Sequence, residues 1–227
     1  MSARPPVWVS KLATRFWAEA ADDPPFPRDL RPVVCCTTDL NVIEVPHLSA
    51  ASAATHFAAL GIPFPKLANE RRLHGCFGSY RNQAAILIDP LDLVDELRFT
   101  FAHELAHYLR DYRAARADAV ARLGLAILEV LDGDRPPTPQ EQIAGELRGR
   151  PIGAHAHFLE RDRWGNVVSD EVREAEDAAD RLAFELLAPF AAVKANGFSD
   201  AALMDRLTTV FGLPGSAAAK YATILLG

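Results

Sequence analysis

The segment His103-Glu104-Leu105-Ala106-His107 sets two imidazoles four residues apart. On a helix this spacing puts both on one face, one turn apart, where they can ligate a single tetrahedral metal ion. Glu104 then sits about 100° around the helix, near such an ion without being a ligand, and is placed to take a proton from water activated there. With seven histidines in the chain, chance gives the pattern about once in a hundred such sequences. The surroundings sharpen the signal. Phe99, Phe101, Ala102, Leu105, Ala106, Tyr108 and Leu109 make this helix apolar nearly all round, so it is expected to be buried. Burying His103, Glu104 and His107 without partners would cost several kcal/mol, and a metal with its water removes that cost. Two core histidines beside a surface glutamate are the weaker reading.

A catalytic zinc commonly keeps three protein ligands and one open position. The third is expected from the helix that begins at Ser169 or Asp170. Its apolar stripe is Val172, Ala175, Ala179, Leu182, Ala183, Leu186 and Leu187, with Glu176 inside the stripe and Asp180 at its edge. Glu171, Glu174, Asp177, Arg181 and Glu185 fall on the other side. Two carboxylates one turn apart on a core-facing surface need a reason to be there. Glu176 as a ligand and Asp180 as acceptor for the N–H of a ligating imidazole supply one. The bland alternative is a salt-bridged helix edge, with Arg98 or Arg110 as the cation.

Other reactive side chains carry weaker signals. His155 and His157 would share one face of a strand, and one or the other is expected to face the site entrance. His74, Tyr80, Tyr108 and Tyr112 are open candidates for an oxyanion donor. Cys76 has no nucleophile motif around it and reads as a small core residue.

The elements that must position these groups follow from periodicity and punctuation. An amphipathic helix opens the chain through Ala20, and prolines make a loop of residues 22–27. A short helix to about Cys36 and a strand at Asn41–Val45 follow. Ser49 is the expected N-cap of a helix that ends near Leu60, with Gly61 as its stop. Leu73–Ser79 and Ala84–Asp89 read as a hairpin, the second strand serving as the sheet edge that would hold an extended substrate. A long helix starts near Asp92 and runs through the histidines. Helical periodicity resumes over Ala114–Leu131 and breaks at Asp132-Gly-Asp-Arg-Pro-Pro-Thr-Pro139. A short helix, a strand near Ile152–Leu159 and a turn at Trp164-Gly-Asn precede the Glu176 helix. Two short helices, about Ser199–Phe211 and Ser216–Leu226, close the chain. The class is α+β. The division expected is a domain over residues 1–190 with an insertion at about 112–168, then a helical extension over 191–227. That extension resembles a helix-turn-helix in length, but its second helix offers one lysine and no arginine, so packing on the core is expected rather than DNA binding.

The bulk properties agree with a folded soluble protein of about one domain. A formal charge of −6 over 227 residues argues against broad binding to nucleic acid, which calls for a basic excess. No signal-peptide core and no long apolar run is evident, and three cysteines without C-x-x-C spacing suit a reducing compartment. A cytoplasmic location without membrane association is expected.

The block Arg98-Phe-Thr-Phe-Ala-His-Glu-Leu-Ala-His-Tyr-Leu109 resembles the R-F-T-x-A-H-E-L-x-H block of the ImmA/IrrE family of metallo-endopeptidases. Glu176-Asp-Ala-Ala-Asp-Arg-Leu-Ala-Phe-Glu-Leu-Leu-Ala-Pro189 is similar to that family's second block, E-x-x-A-N-x-F-A-A-x-L-L-M-P, and Ala85-Ile-Leu-Ile-Asp89 fits the preceding strand. Asp180 stands where the family has Asn, E-x-x-x-D being the wider gluzincin pattern, and Ala188 stands where it has Met. About 65 residues separate the blocks, more than in compact members.

The resemblance implies a zincin-like, gluzincin-like fold in which His103, His107 and Glu176 hold Zn²⁺, with Mn²⁺ as the alternative ion. It implies that Glu104 activates water, with a helix-turn-helix transcriptional repressor as the protein substrate. The rival expectation is an anti-repressor or sensor that keeps the metal for structure and binds its partner regulator without cutting it.

Overall fold

The computed structural model describes residues 4–20, 24–64, 70–143, 147, 152–157, 170–195 and 200–227. It is α+β, with helices outnumbering the strands of one small mixed sheet. Two compact units are formed: Met1–Thr38, Leu91–Ala106 and Leu159–Gly227 make the first, and Asp39–Pro90 and His107–Phe158 the second.

In the first unit, α1 (Val7–Ala20) turns Val9, Ala13 and Phe16 inward and packs against α8 (Asp170–Leu187). Between them in sequence lies α2 (Arg31–Thr37), whose Pro32 suits a first helical turn because that turn's N–H groups lack helical partners anyway. α4 (Val94–His107) carries Asp95 and Glu96 in its first turn, where the helix dipole favours acids. Beyond α8 come α9 (Phe190–Lys194), α10 (Asp200–Thr209) and α11 (Gly215–Leu226). The last helix is anchored by Tyr221, whose ring stacks on Phe184 of α8 at 4.5 Å and whose hydroxyl donates to the Ala188 carbonyl at 3.1 Å. Gly212, in the turn between α10 and α11, has φ of 64° and a carbonyl that accepts from Arg98 Nη1 at 2.9 Å. A Cβ there would strike both that guanidinium and Pro27, so glycine is required on two counts. Arg98 is thus a structural tie.

The second unit holds the sheet, in the order β1-β3-β2-β4. β1 (Asn41–Glu44) is parallel to β3 (Gln83–Ile88). β2 (Gly75–Tyr80) is antiparallel to β3 and to β4 (His155–His157). The β2–β3 turn is two residues long, with Arg81 at φ of 54°. α3 (Ala50–Ala59) starts at the expected Ser49 cap, reinforced by a reciprocal bond from the Ser49 N–H to Ser52 Oγ. It packs Ala53 and Phe57 with Val45, Leu48, Leu73, Cys76, Ala85 and Leu87.

Two expectations need correction. The strand at Ala84–Asp89 is not a sheet edge, because β1 flanks β3 on one side and β2 on the other. Its run Ala84-Ala-Ile-Leu-Ile88 is buried at every position, as in a strand covered on both faces. The helical pattern of Ala114–Leu131 is also not one helix. A π-helical turn spans Tyr108–Ala114, α5 covers Ala115–Leu123, Gly124 breaks the run at φ of 81°, and α6 covers Ile127–Leu131. Ala119, Ile127, Val130 and Leu131 form one buried cluster, while Leu125 stays exposed. Ahead of α7 (Pro139–Ile143), Arg135 pairs with Glu129 and Glu141, and Thr138 caps the helix. The Trp164 turn lies outside the described residues. Among the described residues, no helix is long and apolar enough to cross a membrane.

Candidate metal centre

The C-terminal half of α4 is buried, with Phe101, Ala102, Leu105 and Ala106 at the interior, and its polar groups at 103, 104 and 107 are carried inward with it. His107 is 1% exposed and Glu104 8%, a degree of burial that acidic and imidazole groups accept only with partners. The i, i+4 spacing puts both imidazoles on one face of α4. On α8, Ala179, Leu182, Ala183 and Leu186 are buried, and the same face carries Glu176 and Asp180 inward with side chains 16% and 14% exposed. Asp177, one residue round the helix, is half exposed.

His103, His107 and Glu176 bring three ligand atoms within 4.8 Å of one another, a group that could hold a metal ion. Glu176 Oε2 lies 3.2 Å from His103 Nε2. Two donors each 2.0–2.2 Å from one tetrahedral zinc stand about 3.3–3.6 Å apart, so this pair needs little adjustment to share an ion. The other ring nitrogens are already engaged. His103 Nδ1 donates to Asp180 Oδ1 at 2.7 Å, and His107 Nδ1 donates to Asp111 Oδ2 at 2.9 Å. Each bond fixes the ring and leaves Nε2 for the ion, the arrangement found around metal-ligating histidines. The residues present fit a metal with two nitrogens and one carboxylate oxygen.

Electrostatics reinforce the geometry. Burial works against a charged His103, yet hydrogen bonds to Asp180 and Glu176 and the nearby Glu104 charge override it and push its pKa up to about 10. Burial would raise the Asp180 carboxyl, but His103 and then Lys220 hold it below the usual carboxylate value. Without metal, His103 is thus an imidazolium clasped by two acids.

Asp111 was not among the sequence-derived candidates. It sits one turn beyond His107, in the π-helical segment, and its second oxygen accepts from Arg110 Nε at 2.5 Å. Single π turns inside helices occur often at functional sites. An H-x-x-x-D spacing on a helix was the readable signal. Arg98 and Arg110, the cations of the bland alternative, bond to Gly212 and Asp111.

The remaining candidates all lie in the second unit. His155 lines a pocket of about 350 Å³, solvent-open space included, with Ser79, Tyr80, Asp111, Tyr112 and Arg116 among its walls. Tyr112 commits its hydroxyl to the Arg81 carbonyl at 2.7 Å, and Tyr108 is buried with its ring edge-on to Phe77. Cys76 is in the core, and the side chain of His157 lies outside what is described. A comparison with family models, with curated proteins and with solved structures finds no match to this chain.

Proposed function

We propose that this protein is a zinc-dependent endopeptidase of the ImmA/IrrE kind, with a gluzincin-like ligand set. One observation carries the reading: His103, His107 and Glu176 converge while carboxylates hold both histidine Nδ1 atoms and a buried glutamate stands beside them. Zinc bound there would polarise the scissile carbonyl and lower the pKa of water. The chain's own residues supply the rest. Glu104 accepts a proton from the attacking water as its oxygen bonds to the carbonyl carbon, and delivers that proton to the amine nitrogen as the C–N bond breaks. Asp180 and Asp111 hold the two rings in one tautomer and orientation through the cycle. A purely structural site has no use for a buried general base, and this favours an enzyme over a non-cleaving anti-repressor.

The resemblance of the two blocks directs the choice of substrate to a helix-turn-helix repressor. The test is to incubate zinc-loaded protein with the product of a helix-turn-helix gene adjoining its own, with and without chelator, and to read fragments by mass spectrometry. Cleavage that chelator abolishes, and that Glu104→Gln loses while keeping its zinc, supports the proposal. Tight binding of an intact repressor by both proteins would replace it with the anti-repressor reading.

A further inference from the structure

We infer that Lys220, on the C-terminal helix α11, is a positioning residue for the metal centre, acting through Asp180 on His103. The inference rests on reading His103, His107 and Glu176 as the ligands. Lys220 Nζ donates to Asp180 Oδ2 at 2.7 Å, while Asp180 Oδ1 accepts from His103 Nδ1 at 2.7 Å. The carboxylate is therefore held at both oxygens. Any rotation that swings Oδ1 off the imidazole must also break the ion pair with Lys220.

Lys220 also donates to Asp177 Oδ1 at 2.6 Å. That partner is half exposed, and an exposed pair of this kind contributes little. Asp180 is largely buried, so the bond to it is less screened and is the one with consequences. The ammonium thus fixes a buried carboxylate that in turn fixes a ligand ring. Groups that orient a ligating imidazole tune metal affinity although they never touch the ion.

α11 does not depend on Lys220 for its seat. Ala217, Ala218, Ala222 and Leu225 are buried, and Tyr221 is stacked on Phe184 and bonded to Ala188. Removing the ammonium should leave the helix in place and change only what Asp180 is allowed to do. The C-terminal extension then has a function at the site: it completes the polar chain Lys220–Asp180–His103.

The test is zinc affinity of the full chain, measured by competition with a chromophoric chelator. It is applied to the wild type, Lys220→Met, Lys220→Arg, Asp180→Asn and the double variant Lys220→Met/Asp180→Asn. Asp180→Asn should lose about ten- to a hundredfold, and Lys220→Met, one bond further out, about three- to tenfold. Lys220→Arg should restore wild-type affinity within about twofold, since a guanidinium supplies the same charge to Oδ2. In the Asp180→Asn background, Lys220→Met should change nothing, because the group it acts through is gone. Thermal unfolding of each variant checks the fold, and Lys220→Gln replaces Lys220→Met if the latter fails to fold. Unchanged affinity in Lys220→Met, or the same loss in both backgrounds, overturns the inference while leaving the ligand assignment standing. A wild type that binds no zinc overturns both.

Discussion

Zinc binding should release a proton from His103, and its pH dependence follows from the geometry. In the metal-free protein His103 carries a proton held between Asp180 and Glu176, with its pKa pushed up to about 10. A metal needs the Nε2 lone pair, so it must displace that proton. While pH lies below the raised pKa, apparent affinity rises about tenfold per pH unit, or about 1.4 kcal/mol for one proton. Between pH 6.5 and 8.5 this amounts to about a hundredfold. The stability effect runs the other way for the metal-free chain. The pKa is raised above its ordinary value of 6.5, so the stabilisation from the imidazolium is complete below about pH 6.5 and fades as pH climbs toward about 10. Metal-free protein should lose this contribution on going from pH 6.5 to 9.5, whereas zinc should stabilise it more at the higher pH. Calorimetric titration with zinc in buffers of different ionisation enthalpy counts the protons, and chelator competition gives the slope. Asp180→Asn removes a main source of the raised pKa and should flatten the slope near neutrality. A wild-type affinity that stays flat from pH 6.5 to 8.5, with no proton released, would refute the reasoning.

Three substitutions extend the account. Glu104→Gln should keep one zinc per chain and an unchanged fold while cleavage falls by about two to four orders of magnitude, read as initial rates on the repressor substrate. Asp111→Ala removes the acceptor at His107 Nδ1 and should weaken zinc about ten- to a hundredfold in chelator competition, with Asp111→Glu recovering part of it. Phe184 is 1% exposed and stacked between Phe99 and Tyr221, so Phe184→Ala should cost about 3–5 kcal/mol in urea unfolding of the metal-free protein.

What the sequence discloses here is what local spacing encodes. The i, i+4 histidines, the carboxylates of α8 set apart by the helical wheel, the Ser49 cap and the Gly61 stop all depend on neighbours within one or two turns, and the structure places them as their spacing requires. The edge assignment of Ala84–Asp89 failed for a non-local reason. A strand's position in a sheet depends on which partners arrive, and here β1 and β2 both pair with it. Its unbroken apolar run was the available clue to a central strand. Asp111 was legible by spacing, but the π turn around it has no simple sequence signature. Lys220 could not be found at all by pattern, because its bond to Asp180 spans 40 residues and forms only once α11 has docked.

The most direct test of the central claim is zinc content after reconstitution and gel filtration, measured by inductively coupled plasma mass spectrometry on the wild type beside His103→Ala and Glu176→Ala. About one tightly held zinc is expected per wild-type chain, as a site with three protein ligands requires, and almost none in either variant. A wild type that retains no zinc, or variants that retain as much as the wild type, would contradict it.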